Sequence, residues 1–336
     1  MRFRPDYLIR QILRSKSEFF HSVTGQQQIS SFRIIPPRHS FRLDQFDFKS
    51  MAIQKSGDPI RMLVLETDSP HPDVKENKGG YSDILNSLFK QAGKEHDPPL
   101  EIETEMHYVV DDPENGHHGH PPKVSDIDPS INAILITGSM YDAHGDNPWI
   151  KELLHFLRTL WVERKDMKFS GVCFGHQILS RALGAKVEQE PAGKWELAHT
   201  EMDLTSVGQR LFQTKDKKLS LHQMHQDQVT TVPSASTTDL LSEDDRVEVW
   251  ASTEHTKIQG LYLRERLFTS QGHLGFDEEV VHREIDMRAE SGGIEDKNVA
   301  EKGKDTAHLR HDGLTVAGAI LRFFYGDDRD IQGRKS

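Results

Sequence analysis

The hydrophobic pattern of this chain changes period around a single residue, Cys173. Phe169-Ser170-Gly171-Val172 is short and apolar enough to be a buried strand, and residues 176–183 carry helical spacing that stops near Gly184. Cys173 stands at the change, within Gly171-Val172-Cys173-Phe174-Gly175. A strand that turns at once into a helix forces its apex residue through a crowded backbone conformation, and flanking glycines relieve that crowding. The pattern Gly-x-Cys-x-Gly between strand and helix is the thiol form of a nucleophile elbow. The helix N-terminus behind the apex favours thiolate over thiol, and the Phe174 N–H is placed to bind a developing oxyanion. An isolated cysteine is more often a small buried hydrophobe; here the flanking glycines argue for the elbow.

The surrounding segments extend the same architecture. Met62-Leu63-Val64-Leu65 reads as a buried strand ended by a turn cluster at residues 66–70, and residues 81–92 have helical spacing. Residues 102–110 read as a strand, Ala133-Ile134-Leu135-Ile136 as another, and residues 148–161 as a helix with Pro148 in its first turn. Short apolar strands alternating with helices predict a mostly parallel, flavodoxin-like α/β sheet covered on both faces. Strands at 195–204, 247–252 and 257–269 are more closely spaced, which predicts antiparallel pairing at the C-terminal side. Helices are expected over 277–290 and 314–325, with a charged insertion over 291–312.

Composition limits the function classes. The 336 residues carry a net charge of −11, which argues against nucleic acid or a membrane surface as a partner. No apolar run reaches the length of a membrane span. Cys173 is the single cysteine, so no intrachain disulfide forms. Residues 1–51 hold nine Lys/Arg against four Asp/Glu. They give residues 1–57 the character of an N-terminal extension, with Met51 as an alternative start and one domain expected over 58–330. A cytoplasmic location is expected, or a mitochondrial one if the Arg-containing stretch acts as a transit peptide. His117, His118 and His120 lie in a Gly- and Pro-containing loop without matching ligand spacing, so no metal and no cofactor is expected.

Gly171-Val172-Cys173-Phe174-Gly175-His176-Gln177 resembles the signature of class I glutamine amidotransferases. Three further segments agree in order: Thr137-Gly138-Ser139 after a strand, Met224-His225-Gln226-Asp227-Gln228-Val229, and Ser270-Gln271-Gly272-His273. The resemblance spans about residues 60–285. It implies Cys173 as nucleophile, His273 as its base, and an oxyanion site built from Gly138, Ser139 and Phe174. It also implies Gln177, His225 and Asp227 as substrate-facing residues, although His225 and Asp227 could equally brace a loop. A thiol working near neutral pH needs a base partner, and imidazole suits that task.

One position departs from the family pattern. Amidotransferases carry Glu two residues after the histidine, on the same strand face, and here that place is Gly275. Asp277 or Glu278 is the expected substitute, with Glu279, a backbone carbonyl or a water as alternatives. A cysteine–histidine pair is expected to tolerate the change by resting as thiolate and imidazolium. The residues after Gly275 read as two helices and a charged insertion, so a synthetase domain is not expected among them. The pattern is closest to the stand-alone γ-glutamyl peptidases, which implies a thiol hydrolase for glutamine or γ-glutamyl amides. Two alternatives remain: a glutaminase subunit that delivers ammonia to a separate synthetase partner, and a catalytically silent binding protein on the same fold.

Overall fold

The computed structural model describes residues 58–328 and Ile331; the expectations for residues 1–57 lie outside the described residues. A nine-stranded sheet runs through the molecule. Its strands, in chain order, are β1 (Ile60–Glu66), β2 (Ile102–Tyr108), β3 (Ala133–Ile136), β4 (Lys168–Val172) and β5 (Glu196–Leu204), then β6 (Lys218–His225), β7 (Glu248–Ser252), β8 (Gly260–Leu263) and β9 (Leu267–Ser270). The spatial order is β2-β1-β3-β4-β9-β8-β7-β5-β6. The first five in that order pair in parallel, and β9 through β6 continue antiparallel. This is the predicted flavodoxin-like sheet with an antiparallel extension.

Helices cover both faces, as the continuous apolar runs of β1, β3 and β4 require. On one face, α3 (Pro148–Glu163) and α4 (Phe174–Ala182) bury Trp149, Leu153, Leu157, Leu160, Phe174 and Ile178. On the other, α2 (Tyr81–Glu95), α5 (Ser206–Leu211) and α8 (Gly313–Tyr325) bury Leu85, Phe89, Leu211, Ile320 and Phe323. Register then decides where the site lies. Ile136 pairs with Gly171, and Val172 with Ser270, so β3, β4 and β9 end level with one another. The residues that follow them, Thr137–Ser139, Cys173 and Gln271–His273, therefore meet at the carboxyl edge of the sheet, where open α/β sheets hold ligands.

Several elements differ from expectation. Residues 257–269 form two strands, β8 and β9, joined by a turn in which Glu265 takes φ 60°. Strand β6 was not expected: its sequence Lys-Leu-Ser-Leu-His-Gln-Met-His alternates, but its buried positions include His222, Gln223 and His225. The turn cluster after β1 is followed by a short helix, Pro72–Lys78, and the insertion at 291–312 contains the helix Lys297–Thr306. The antiparallel extension curls on itself. Its outermost strand, β6, meets the segment after β9 where the His273 N–H donates to the His222 carbonyl at 2.8 Å.

Candidate active site

Cys173 has φ 53° and ψ −109°, the strained apex expected of an elbow. The flanking glycines are required by contact. A Cβ on Gly171 would lie 2.4 Å from the Gly175 carbonyl carbon, and one on Gly175 would lie 2.2 Å from the Ile136 carbonyl oxygen. Cys173 is the residue before α4, so the helix N-terminus points at it and the Phe174 N–H faces the thiol. His273 stands opposite. A Cβ on Gly138 would lie 3.1 Å from His273 Cε1 and 3.5 Å from Cys173 Cβ. Loop, imidazole and thiol thus close on one small space, and Gly138 permits the approach.

The Thr137–Ser139 loop after β3, the expected oxyanion site, is held from below. Thr67 Oγ1 donates to the Gly138 carbonyl at 3.0 Å, and the Thr67 N–H donates to Thr137 Oγ1 at 3.0 Å. A planar trans peptide sets the Ser139 N–H opposite that tethered carbonyl. Beyond it, the buried Asp68 carboxylate accepts from the Met140 N–H at 2.7 Å and from Ser139 Oγ at 3.4 Å. Asp68 is a positioning residue that the sequence did not single out.

Electrostatics overturn the expected resting state. Burial pushes the Cys173 thiol up to about 11, against the opposing pull of the Arg288 charge and the Phe174 N–H. Burial likewise pushes His273 down to about 3, and the nearby His225, Arg288 and His222 side chains act in the same direction. In the free protein burial therefore favours neutral thiol and neutral imidazole over thiolate and imidazolium.

Neither expected acid supports His273. Asp277 caps helix α6 (Glu278–Glu290), accepting from the Val280 N–H at 3.1 Å, and is ion-paired with Lys78. Glu278 sits in the first turn of that helix and is exposed. His273 Nε2 is buried with no hydrogen-bond partner. The ring lies instead on Phe276, with centroids 3.8 Å apart and planes within 15°, and Phe276 stacks in turn on Tyr81 at 6.1 Å. Stacking thus takes the orienting part that a carboxylate has elsewhere. The signal was present as an aromatic three residues after the histidine.

The remaining residues divide. Gln177 Nε2 donates to the Asp227 carbonyl at 2.9 Å and to Gln271 Oε1 at 3.1 Å. That leaves Gln271 Nε2 buried without a partner, beside the thiol whose anion the Gln271 side chain favours. Gln271 lies in the segment that delivers His273, and its sequence context alone does not mark it as a site residue. His225 is a brace: Nε2 meets Glu196 at 3.0 Å and Nδ1 meets the Asp227 carbonyl at 2.9 Å, both inside the fold. The Asp227 carboxylate pairs with His144 Nδ1 at 3.0 Å. Among the described residues, no group of three or more His, Cys, Asp or Glu is arranged to hold a metal ion, and no helix is long and apolar enough to cross a membrane.

The family described as Glutamine amidotransferase class-I matches residues 124–287. A glutamine amidotransferase-like protein of Schizosaccharomyces pombe is 33% identical over 221 residues, covering 66% of this chain and 81% of the relative. Gamma-glutamyl peptidase 5 of Arabidopsis thaliana is 30% identical over 249 residues, covering 73% of this chain and 87% of the relative. A glutamine amidotransferase structure from Methylobacillus flagellatus shares the fold, with a TM-score of 0.56 at 17% identity over 80% of this chain and 96% of that one. With the elbow, the loop and the histidine segment in register at one sheet edge, the chain belongs to the class I glutamine amidotransferase-like family.

Proposed function

We propose that the protein is a thiol hydrolase of γ-glutamyl amides, with peptides of the glutathione type as its substrate class. The observation that carries this reading is the convergence of Cys173, the His273 ring and the Gly138 loop on one space at the carboxyl edge of the sheet. The likeness to γ-glutamyl peptidases over most of their length supports a peptide rather than a nitrogen acceptor.

The neutral pair fixes the order of events. His273 takes the Cys173 proton as sulfur attacks the γ-carbonyl carbon. The N–H groups of Phe174 and the Gly138–Ser139 loop receive the oxyanion. The imidazolium forms over the Phe276 face, where cation–π attraction is worth about 0.5–2 kcal/mol. It then protonates the departing amine, leaving a γ-glutamyl thioester. Water, deprotonated by His273, attacks the thioester; glutamate leaves and the thiol recovers its proton.

The test is glutamate release from glutathione, a glutathione S-conjugate and glutamine by the purified protein and by Cys173→Ala. Release from the γ-glutamyl peptides, lost in a folded Cys173→Ala variant, is the expected result. Turnover of glutamine alone would favour the glutaminase reading, in which a separate synthetase takes the ammonia. A second reading has an observation of its own: a histidine without a carboxylate beside a thiol held at about 11 suits a silent binding protein. Absence of turnover on all three substrates, together with no thioether formed with a γ-glutamyl electrophile, would establish it.

A further inference from the structure

Helix α6 brings one residue to the site that the mechanism does not use. Arg288 is partly buried, and its Nη2 lies 3.5 Å from the carbonyl of Ser139, in the oxyanion loop. Its guanidinium carbon lies over the Trp195 ring, 5.6 Å from the centroid, within cation–π range. Trp195 is itself anchored, its Nε1 donating to the Gly293 carbonyl at 3.0 Å. The Arg288 Nε is buried with no hydrogen-bond partner.

The acids nearby do not neutralise this cation by contact. Asp68 is occupied by the N–H groups of Ser69 and Met140, and Glu284 accepts from the His71 N–H at 3.2 Å. Arg288 makes no ion pair with either, or with any other described carboxylate. Burial pushes both acids up, against the opposing pull of the Arg288 charge on each. The positive charge is felt at Cys173, whereas the other nearby charge, Asp227, is already paired with His144. A planar fork of donors with an unused N–H, held in place beside a nucleophile, is suited to a carboxylate.

We propose that Arg288 binds a substrate carboxylate, so that the protein selects γ-glutamyl compounds carrying an α-carboxylate within reach of the scissile bond. The inference rests on the amide-hydrolase reading for its substrate class. Two carboxylates have the right chemistry: that of the γ-glutamyl head and that of the departing peptide.

Arg288→Met and Arg288→Lys would be compared with the unaltered protein on glutathione and on γ-glutamyl-p-nitroanilide, which has no carboxylate on its leaving group. Loss of one charged hydrogen-bonding partner should raise KM on the order of tenfold to a hundredfold, with kcat changed less and the Lys variant intermediate. Equal losses on both substrates assign the glutamyl carboxylate; a larger loss on glutathione assigns the peptide's. Changes below about twofold on both overturn the proposal. Calorimetric binding of glutathione to Cys173→Ala, with and without Arg288→Met, separates the two levels of inference. If nothing is hydrolysed but binding depends on Arg288, the carboxylate site stands and the hydrolase reading fails. If hydrolysis proceeds and binding ignores Arg288, the reverse holds. If glutathione does not bind to Cys173→Ala at all, the carboxylate site is overturned.

Discussion

Burial acts on the ionisation of Cys173 more strongly than Arg288, Asp227 or the helix N-terminus, and the consequence is measurable. A thiol pushed up to about 11 carries little thiolate at neutral pH. Alkylation of the ligand-free protein by iodoacetamide should therefore be slower than that of free cysteine at pH 7.5 and should rise steeply only in alkaline solution. A rate above that of free cysteine near neutrality would show a resting thiolate and contradict the neutral pair. The role of His273 follows from the same residue-scale accounting. Its depressed basicity makes it a weak proton acceptor in the free protein. Under the proposed hydrolysis, substrate that displaces water and places an amide oxygen among the loop N–H groups would provide the drive for transfer.

At the scale of elements, helix α2 decides what the position after the histidine can hold. A Cβ on Gly275 would lie 2.8 Å from Ile84 Cγ2, and the adjoining cavity, lined by Tyr81, Ile84, His273 and Phe276 among others, is only about 20 Å³. Gly275 does not occupy the left-handed backbone region, so the obstacle to a larger residue is packing and not the turn. Gly275→Glu alone should lower the melting temperature, because overpacking costs about 1–3 kcal/mol. Combined with Ile84→Ala it should recover stability, place a carboxylate beside His273 and raise kcat about tenfold, a fraction of the effect such an acid has in serine triads. A folded double variant with unchanged kcat would show that Phe276 already orients the ring fully. This element also shows where reading the sequence succeeds and where it stops. β1, β3 and β4 were legible because strands buried on both faces are continuous apolar runs. The elbow was legible because glycine spacing carries it. The stacking of His273 on Phe276 depends on a turn at 274–276, and the placing of Arg288 depends on how α6 crosses the loop. Neither leaves a local periodicity to read. Strand β6 was missed because polar residues share its buried positions with Leu219, Leu221 and Met224: Gln223 Nε2 donates to Gln259 Oε1 at 2.9 Å, and Gln259 in turn donates to Glu196 at 2.7 Å.

Among the described residues of the whole molecule, four imidazoles are held toward the neutral form by burial: His176 and His273 pushed down to about 3, His222 to about 4, and His311 in the same direction. Each regains an ordinary basicity, near 6.5, when the chain unfolds. Unfolding therefore takes up protons between pH 6.5 and the folded values, so stability is full above about pH 6.5 and is lost as pH falls toward 4. Urea unfolding followed at pH 7, 6 and 5 should show a steadily falling midpoint; a flat profile would mean that these rings are charged in the folded state. The curled extension adds a consequence of another kind. The backbone N–H of His273 is bonded to a carbonyl of β6, the strand that ends the sheet. That amide can trade its hydrogen for deuterium only when the edge strand swings away. Its exchange lifetime is thus a clock for the opening of the sheet's far margin, read from just past β9, close to Cys173.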